Sequence, residues 1–412
     1  MIPTPAELER AAAGLRAALA EPFSGEEAVG AIAAASRPEA ASMAQIARRL
    51  GWSPALLEAS IQALCEPCAD VEHLRAIARR PLVRRGVVGF VMPGNIPGAG
   101  LHELVLTLLG GAVAAVKTAS TEPLFFVHWV ARLAEFDPRL GARIAVFNWS
   151  RDRADLTQLL QRYCNQMVAF GDDPTITALA APRHPEIANA TGHFVGFGAR
   201  LSGAVITATA SAAPARDEVA RGVALDATLF EQRGCLAPHH VFVADVTGGS
   251  EARAFGARLT ASLQSLAAML PPPSRLPLAE AAAIRSGRER ARWRALGGHE
   301  VALWEGPLPG WTVIYDRDAT MTISPGFRTI WVSPFTNPDD LARRLAPVAG
   351  RVEAFALASG QGTDRPDGVA AIRAVIETMG ASYICIPGRM QSPPLDWPHG
   401  GGAFLRMLES QR

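Results

Sequence analysis

The chain has 412 residues, of which 49% are hydrophobic and 19% are charged, a composition that excludes a mainly disordered protein and predicts two or three domains. Its 40 basic and 39 acidic residues leave a formal net charge of +1, which argues against nucleic acid as a partner. There is no apolar run long enough for a membrane span, no signal-peptide pattern at the start, and no disulfide framework among five scattered cysteines. We therefore expect a soluble, cytoplasmic enzyme.

The first 80 residues predict a helical amino-terminal region. Alanine and leucine recur there at helical spacing, most clearly between Ala12 and Leu19, and Ser53 followed by Pro54 is a favourable start for a further helix.

Strand and helix patterns alternate from residue 87 to about 210. The predicted strands are Val87–Met92, Ala112–Lys117, Ile144–Phe147, Met167–Phe170, Phe194–Phe197 and Ala204–Ile206. The predicted helices between them are Leu101–Leu109, Pro123–Glu135, Ala154–Tyr163 and Pro174–Ala181. Because apolar strands separated by helices are typical of a parallel sheet covered on both faces, we predict an α/β domain over residues 81–215.

A second alternation predicts another α/β domain over residues 216–386. Its strands are Val241–Ala244, Val313–Tyr315, Thr329–Val332, Phe355–Leu357 and Tyr383–Ile386, and its helices are Ser250–Ala268, Pro277–Leu296, Pro338–Leu345 and Gly368–Met379. Residues 387–412 form a C-terminal segment expected to pack back near the domain interface. Its first part, rich in proline and glycine, is predicted to be a loop packed by Met390, Leu395 and Trp397.

Lys117 is the only lysine, beside 39 arginines. It ends the second predicted strand, at the sheet edge where open α/β folds bind their ligands. A compact ammonium on a slim stem can hold a ribose hydroxyl or a phosphate there. The alternative, a solvated surface lysine, suits a strand end poorly in a chain that otherwise uses arginine.

Asn95 lies in the loop PGNIPGAG, residues 93–100, which joins the first strand to a helix. The spacing is neither G-x-G-x-x-G nor a P-loop, although small residues before a helix favour anions. An amide N–H at this strand end can donate to a developing oxyanion. The alternative is an asparagine that bonds to its own turn.

The five cysteines differ in their surroundings. Cys65 and Cys68 lie on a helical stretch without further ligands to complete a zinc site, and Cys164 and Cys385 lie in apolar runs typical of a core, so we predict no metal site. Cys235 follows a glycine in a turn before the strand HHVFVAD, where a thiolate can meet a substrate as a nucleophile.

Asn95, Lys117 and Cys235, in this order, resemble the site residues of the aldehyde dehydrogenase superfamily. Within it the chain is most similar to the LuxC-like acyl-CoA reductases, or fatty acyl reductases, from about residue 85 to 405. The motifs that carry the likeness are PGNIPGAGLHELVLTLLGGAVAAVKTAS, FGDDPTI, GFGARLSGAVI, FEQRGCLAPHHVFV and GRMQSPPLDWPHGG. The resemblance implies an aldehyde dehydrogenase-like fold, with a Rossmann-like cofactor domain, a catalytic domain and the active site between them.

The resemblance also implies a role for each residue. Asn95 supplies an oxyanion-hole N–H, Lys117 binds the adenosine ribose region of a nicotinamide cofactor, and Cys235 is the nucleophile. The implied reaction is the NADPH-dependent reduction of an acyl-CoA, or of an acyl-carrier thioester, to an aldehyde through a covalent acyl-cysteine.

We expect NADPH, with NADH as the weaker candidate. NAD-selective relatives place an acid three residues after the lysine, whereas Ser120 stands there in this chain and does not repel a 2′-phosphate. The residues assigned to the cofactor are Lys117, Thr118, Ser120, Pro93, Gly94 and Gly171. Asp172 and Asp173 stand where a Gly/Ser pair would approach a pyrophosphate more simply, and they are expected to cap the helix at Pro174.

A carboxylate is missing from the stretch GFGARLSG, residues 196–203. Aldehyde-oxidising relatives carry a Glu there, in E-L-G-G-K, which activates water to hydrolyse the thioester. An enzyme that reduces the thioester should avoid such a base, because its acyl-cysteine must wait for hydride.

Three other functions stay open. An aldehyde-oxidising NAD(P) dehydrogenase is disfavoured by the missing Glu, and a cysteine acyltransferase without hydride transfer is disfavoured by Lys117. Intact Asn95, Lys117 and Cys235 argue against a binding protein without a cofactor. The acyl group is not identified, a homo-oligomer (dimer or tetramer) is the expected assembly, and His399 and Trp397 are predicted only to pack.

Overall fold

The computed structural model describes residues 2–82, 86–180, 193–207, 210, 215–360 and 366–409. The chain forms two compact units. The first comprises Met1–Leu50, Ile61–Ala199 and Pro394–Arg412, and the second comprises Gly51–Ser60 and Arg200–Pro393. Each unit carries one β-sheet.

Five helices make up the amino-terminal region, as the sequence predicts. They are α1 (Pro5–Ala20), α2 (Gly25–Ala35), α3 (Ala40–Leu50), α4 (Pro54–Ala69) and α5 (Val71–Ala78). Helix α1 begins with a capping box, in which the Thr4 hydroxyl accepts from the Glu7 amide and the Glu7 carboxylate accepts from the Thr4 amide. Leu8 and Leu15 of this helix pack into the core of the first sheet, so the region is part of that unit's fold.

The first sheet has five parallel strands in the order β3-β2-β1-β4-β5. The strands are β1 (Val87–Val91), β2 (Val113–Thr118), β3 (Ile144–Asn148), β4 (Gln166–Phe170) and β5 (His193–Phe197). The helices between them are α6 (Leu101–Leu109), α7 (Leu124–Phe136), α8 (Pro138–Gly141), α9 (Ala154–Tyr163) and α10 (Asp173–Ala180). Because the chain builds outward from β1 to β3 and then returns to the other side of β1, the topological switch point lies between β1 and β4.

The second sheet has seven strands in the order β12-β11-β6-β7-β10-β9-β8, and all neighbours are parallel except the edge pair β8–β9. The strands are β6 (Leu201–Ile206), β7 (Pro238–Ala244), β8 (Val301–Glu305), β9 (Thr312–Asp316), β10 (Thr329–Phe335), β11 (Val352–Ala358) and β12 (Tyr383–Cys385). The helices are α11 (Ala215–Thr228), α12 (Ser250–Met269), α13 (Leu278–Leu296), α14 (Pro338–Leu345) and α15 (Pro366–Thr378), with 3-10 turns at Leu229–Gln232 and Ala346–Val348.

Several elements differ from the sequence-based prediction, among them the helices α8 and α11, which the pattern does not predict. The pattern groups β6 with residues 81–215, but β6 hydrogen-bonds to β7 and β11 and so belongs to the second sheet. Strand β8 is a short edge strand without a prediction. A final helix, α16 (His399–Glu409), follows the proline-rich stretch, and its first turn is left-handed because Gly400–Gly402 have positive φ. The side chains of Met390, Leu395 and Trp397 are buried, as predicted.

The described part of the chain contains no helix with the length and apolarity needed to cross a bilayer. Within the same ranges, no three His, Cys, Asp or Glu side chains are grouped in a way that would hold a metal ion.

Asp226 on α11 is a buried carboxyl group that fixes the chain after β12. Its oxygens accept from the amides of Gly388, at 2.7 Å, and Met390, at 3.0 Å. Burial raises the pKa of Asp226 to about 8, and the two amide bonds only partly oppose this. The folded protein therefore keeps a proton here that the unfolded chain releases near pH 4.

We predict that this group makes the free energy of unfolding fall as the pH rises from about 4 to about 8, because only the unfolded chain has then lost the proton. The slope should be about 1.4 kcal/mol per pH unit. Asp226→Asn should flatten it in denaturant titrations over this range, whereas Asp217→Asn, at an exposed position on the same helix, should not. An unchanged slope in Asp226→Asn would contradict the assignment.

Candidate active site

The carboxyl edge of the first sheet brings together most of the predicted cofactor residues. The Met92 amide donates to the carbonyl of Lys117 at 2.9 Å, and the Thr121 hydroxyl donates to the carbonyl of Gly94 at 3.1 Å. A Cβ at Gly94 would collide with the Thr121 hydroxyl, so this close approach of the two loops requires glycine. The loop of Pro93, Gly94 and Asn95 therefore lies beside the end of β2.

Lys117 is half-buried and is the penultimate residue of β2. Its ammonium has no hydrogen-bond or ion-pair partner within the described ranges. Burial lowers the pKa of Lys117, and the nearby positive charge of Arg151 lowers it further. A partly desolvated cation without a carboxylate is a favourable place for an anionic ligand, because much of its desolvation has already occurred on folding.

Two arginines near the end of β2 have a position that the sequence does not predict. Arg151 follows β3, and Arg49 of α3 donates to the carbonyls of Ser120, at 2.6 Å, and Thr121, at 3.0 Å. Among 39 arginines neither stands out, and Arg49 lies 71 residues before its partner. Arg151 lies near enough to Lys117 to lower its pKa, and Arg49 is bonded to the backbone of Ser120, whose side chain is exposed.

The carboxylates on this edge accept hydrogen bonds from backbone amides, and two of them cap helices. Glu122 is buried and accepts from the amides of Leu124 and Phe125 at the start of α7, and burial raises its pKa. Asp172 accepts from the Thr175 amide and so caps α10, as predicted, and the hydrogen bonds from Thr175 lower its pKa. Asp173, the next residue, accepts from the amide of Ala199 instead, so all three carboxylates on this edge are bonded.

Thr118 and Gly171 occupy different positions on this edge. The buried Thr118 hydroxyl donates to the Phe147 carbonyl and accepts from Asn148, so it ties β2 to β3 and does not reach the open edge. Gly171 directly follows β4, and its amide donates to the carbonyl of Phe197 at 3.1 Å. Asn95 is exposed in the loop after β1, the strand at the switch point.

In the C-terminal segment His399 and Trp397 pack, as expected, and His399 also forms a pair that the sequence does not predict. His399 stacks between Phe197 and Trp397, with ring centroids 4.0 and 4.5 Å apart, and Phe197 stacks on Phe170 at 4.7 Å. His399 Nδ1 also lies 2.6 Å from the carboxylate of Glu103 on α6, the helix that follows the Asn95 loop. Burial acts to raise the pKa of Glu103, but the charge and hydrogen bond of His399 outweigh it and the pKa is lowered.

Cys235 lies half-buried in a turn before β7, in the second unit. The amide of Ala237 donates to the carbonyl of Gly234 to close this turn, and Ser202 of β6 donates to the Cys235 carbonyl at 2.5 Å. The hydroxyl of Ser202 in turn accepts from the Ala354 amide of β11 at 2.9 Å. The peptide of Cys235 is thus anchored to two neighbouring strands.

The other four cysteines are held as thiols. Burial raises the pKa of Cys65, Cys164 and Cys385 to about 12 and that of Cys68 well above its usual value. Burial of this kind makes a cysteine inert as a nucleophile.

Among the residues that the structure describes, two carboxylates reach the stretch 196–203, and both are bonded. Asp173 accepts from the Ala199 amide at 2.9 Å. Glu353 is buried, lies 3.4 Å from the Arg200 guanidinium, and accepts from the Ser382 hydroxyl at 2.6 Å. Neither has the freedom expected of a base that activates water.

The family model described as acyl-CoA reductase (LuxC) matches residues 75–410. The chain belongs to the LuxC acyl-CoA reductase family. A curated relative, the long-chain acyl-protein thioester reductase of Aliivibrio fischeri, is 23% identical over 253 residues, which cover 60% of this chain and 48% of the relative. The match thus spans about half the length of that protein.

Solved structures show the fold. An NAD-dependent benzaldehyde dehydrogenase from Corynebacterium glutamicum is 16% identical, with a TM-score of 0.68 over 95% of this chain and 88% of that chain. A putative aldehyde dehydrogenase from Burkholderia cenocepacia is 15% identical, with a TM-score of 0.70 over 94% and 84%. The predicted family and aldehyde dehydrogenase-like fold are confirmed, and the family implies a nicotinamide cofactor.

We predict that the Glu103–His399 pair fixes the C-terminal segment on the first unit. His399→Phe keeps a ring in the stack but leaves Glu103 buried without a counter-charge, which should lower the free energy of unfolding by about 3–5 kcal/mol at neutral pH. Because the folded pKa of Glu103 is lowered, this loss should shrink as the pH falls below 4.5 and the carboxyl becomes protonated.

Glu103→Leu combined with His399→Phe is the matched control, since it removes both charges and should recover much of the loss. Urea unfolding of the wild type and the variants at neutral and acidic pH measures the coupling. A loss below about 1 kcal/mol in His399→Phe would show that the pair is not coupled in this way.

Proposed function

We propose that this protein reduces an acyl thioester to an aldehyde with NADPH, through a covalent bond between the acyl group and Cys235. The placement of Cys235 carries the proposal. It lies in a half-buried turn anchored at a strand start, whereas Cys65, Cys68 and Cys164 are buried. The name of the curated relative favours a thioester substrate, on CoA or on a carrier protein.

In the proposed mechanism the Cys235 thiolate attacks the thioester carbonyl. A carbon–sulfur bond forms, the bond to the leaving sulfur breaks, and the released thiolate takes a proton from solvent. The side-chain N–H of Asn95 and the backbone N–H of Cys235 donate to the oxyanion, which holds the developing charge. The bond from Ser202 to the Cys235 carbonyl keeps the nucleophile's peptide fixed during this step.

When bound, the nicotinamide cofactor supplies the hydride that reduces the acyl carbon. Cys235 is then released as a thiolate when the tetrahedral species collapses to the aldehyde. Asp173 and Glu353, the carboxylates that reach the stretch 196–203 in the described part of the chain, are already bonded and so are poor candidates for a base that activates water. This favours reduction over the aldehyde-oxidising alternative, which needs that hydrolysis.

The edge of the first sheet fits the adenosine end of NADPH. Arg151 lies near Lys117, Arg49 is bonded to the carbonyl of Ser120, and the neighbouring Glu122 carboxylate is buried in the cap of α7. A 2′-phosphate carries the negative charge that this arrangement favours, whereas a 2′-hydroxyl does not. NADH is therefore the weaker candidate.

We predict that Cys235→Ala abolishes reduction and leaves NADPH binding unchanged, because it removes only the nucleophile. Incubation with acyl-CoA in the absence of NADPH should give one acyl adduct by intact mass in the wild type and none in Cys235→Ala. Cys385→Ala, at a second half-buried cysteine of the same unit, should keep the adduct. An adduct on Cys235→Ala would refute the assignment, and an adduct without NADPH consumption would favour the acyltransferase.

We also predict that Lys117→Ala weakens NADPH about 10- to 100-fold and NADH much less, since a hydrogen bond to a charged group contributes roughly 1.5–3 kcal/mol. Ser120→Glu should reverse the preference by repelling the 2′-phosphate, whereas the neutral Ser120→Gln, of similar size, should not. Fluorescence titrations with both cofactors measure this. If Lys117→Ala lowered the affinity for NADPH and NADH equally, Lys117 would contact the ribose and the proposed 2′-phosphate site would be contradicted.

A further inference from the structure

Three residues just before the Cys235 turn have a left-handed backbone, and none is glycine. The φ angles of Phe230, Glu231 and Gln232 are 55°, 54° and 58°. A second such pair, Phe327 and Arg328, has φ angles of 51° and 56° directly before β10. Side chains with a Cβ rarely adopt this conformation, and it persists only where the surroundings hold it in place.

The two left-handed segments hold each other. The Phe327 amide donates to the Glu231 carbonyl at 3.0 Å, and the Arg328 guanidinium lies 2.5 Å from the Glu231 carboxylate. Both of these charged side chains are 0% exposed. A further bond, from Arg328 to the Leu270 carbonyl at 2.9 Å, fixes the guanidinium from the end of α12.

Gln232 closes the loop that contains Cys235. Its amide nitrogen donates to the carbonyls of Pro238, at 2.7 Å, and Thr329, at 2.8 Å, and its oxygen accepts from the Thr329 amide at 2.7 Å. Residues 232 and 238 bracket the nucleophile, so this one carboxamide joins the two ends of the Cys235 loop and ties them to β10.

The buried pair is not arranged for stability alone. Glu231 Oε2 and the Nε and Nη1 atoms of Arg328 are buried without a hydrogen-bond partner within the described ranges. A buried ion pair with unsatisfied atoms stabilises a fold no better than well-packed apolar side chains of similar volume. The pair instead fixes the orientation of the two left-handed segments relative to each other.

We propose that Glu231, Gln232 and Arg328 form a clamp that aims the Cys235 sulfur at the thioester carbonyl. They are positioning residues, since they act through the backbone of residues 230–235 and need no contact with substrate. The inference rests on the proposed role of Cys235 as the nucleophile. A misalignment of about 1 Å at a reacting atom can cost on the order of 100-fold in rate, so a clamp of this kind has a measurable effect.

The test is the double variant Glu231→Met/Arg328→Met, which replaces the two charged side chains with apolar side chains of similar volume. We expect it to fold with an unfolding midpoint near that of the wild type, while the single-turnover rate of Cys235 acylation by acyl-CoA falls about 10- to 100-fold. The KM for acyl-CoA and the affinity for NADPH should stay within about twofold. Arg288→Met/Glu305→Met, at another ion pair of the same unit, should leave acylation unchanged.

Alkylation of Cys235 by iodoacetamide distinguishes an effect on the orientation of the sulfur from an effect on its reactivity as a thiolate. This small reagent approaches from many directions, so its rate and pH profile should be the same in the double variant and the wild type. A fall in alkylation parallel to that in acylation would overturn the clamp, because the pair would then control thiolate formation. Acylation at the wild-type rate in the folded double variant would also overturn it.

Gln232→Met is the second variant, and it decides the question if the double variant does not fold. It should show the same slow acylation with unchanged alkylation, and wild-type acylation would count against the clamp. Failure of the wild type itself to form an acyl adduct would refute the proposed function, an outcome that these variants cannot mimic.

Discussion

The parallel hydrogen-bond ladders of β1 with β2 and β4 set the position of the residues proposed to bind the cofactor in the first unit. In parallel strands all carboxyl ends meet at one edge, and the chain reverses its direction of sheet growth between β1 and β4. Asn95, Lys117 and Gly171 each follow or end one of these three strands. Residues far apart in sequence therefore share an edge because of backbone pairing alone, before any side chain contributes.

The charges on this edge follow from how its loops are capped. Loop amides at helix starts need acceptors, and the carboxylates of Glu122 and Asp172 provide them. Those negative charges are thereby bonded, while the ammonium of Lys117 is left without a counter-ion among the described residues. Capping thus fixes where these two carboxylates lie, and neither forms an ion pair with Lys117 in the described part of the chain.

The sequence predicts what depends on local pattern, and it misses what depends on distant contacts. Apolar periodicity placed Lys117 at a strand end and Cys235 before a strand, and both predictions agree with the strands observed. The Glu103–His399 pair joins residues 296 positions apart, and no local pattern marks either residue. Strand β6 was also misplaced by proximity in sequence, because sheet membership depends on the partners β7 and β11, which lie 30 to 150 residues further along the chain.

Lys117 and the residues just before Cys235 share one property. Folding leaves each of them in a conformation or environment of high free energy. Lys117 is partly desolvated without a counter-ion, and residues 230–232 keep a left-handed backbone held by an incompletely bonded ion pair. Such states lower stability in the free protein, and they raise the gain on binding or reaction because less reorganisation remains to be done. A phosphate that meets Lys117, and a thioester that meets a fixed Cys235, would each benefit from ordering that folding has already completed.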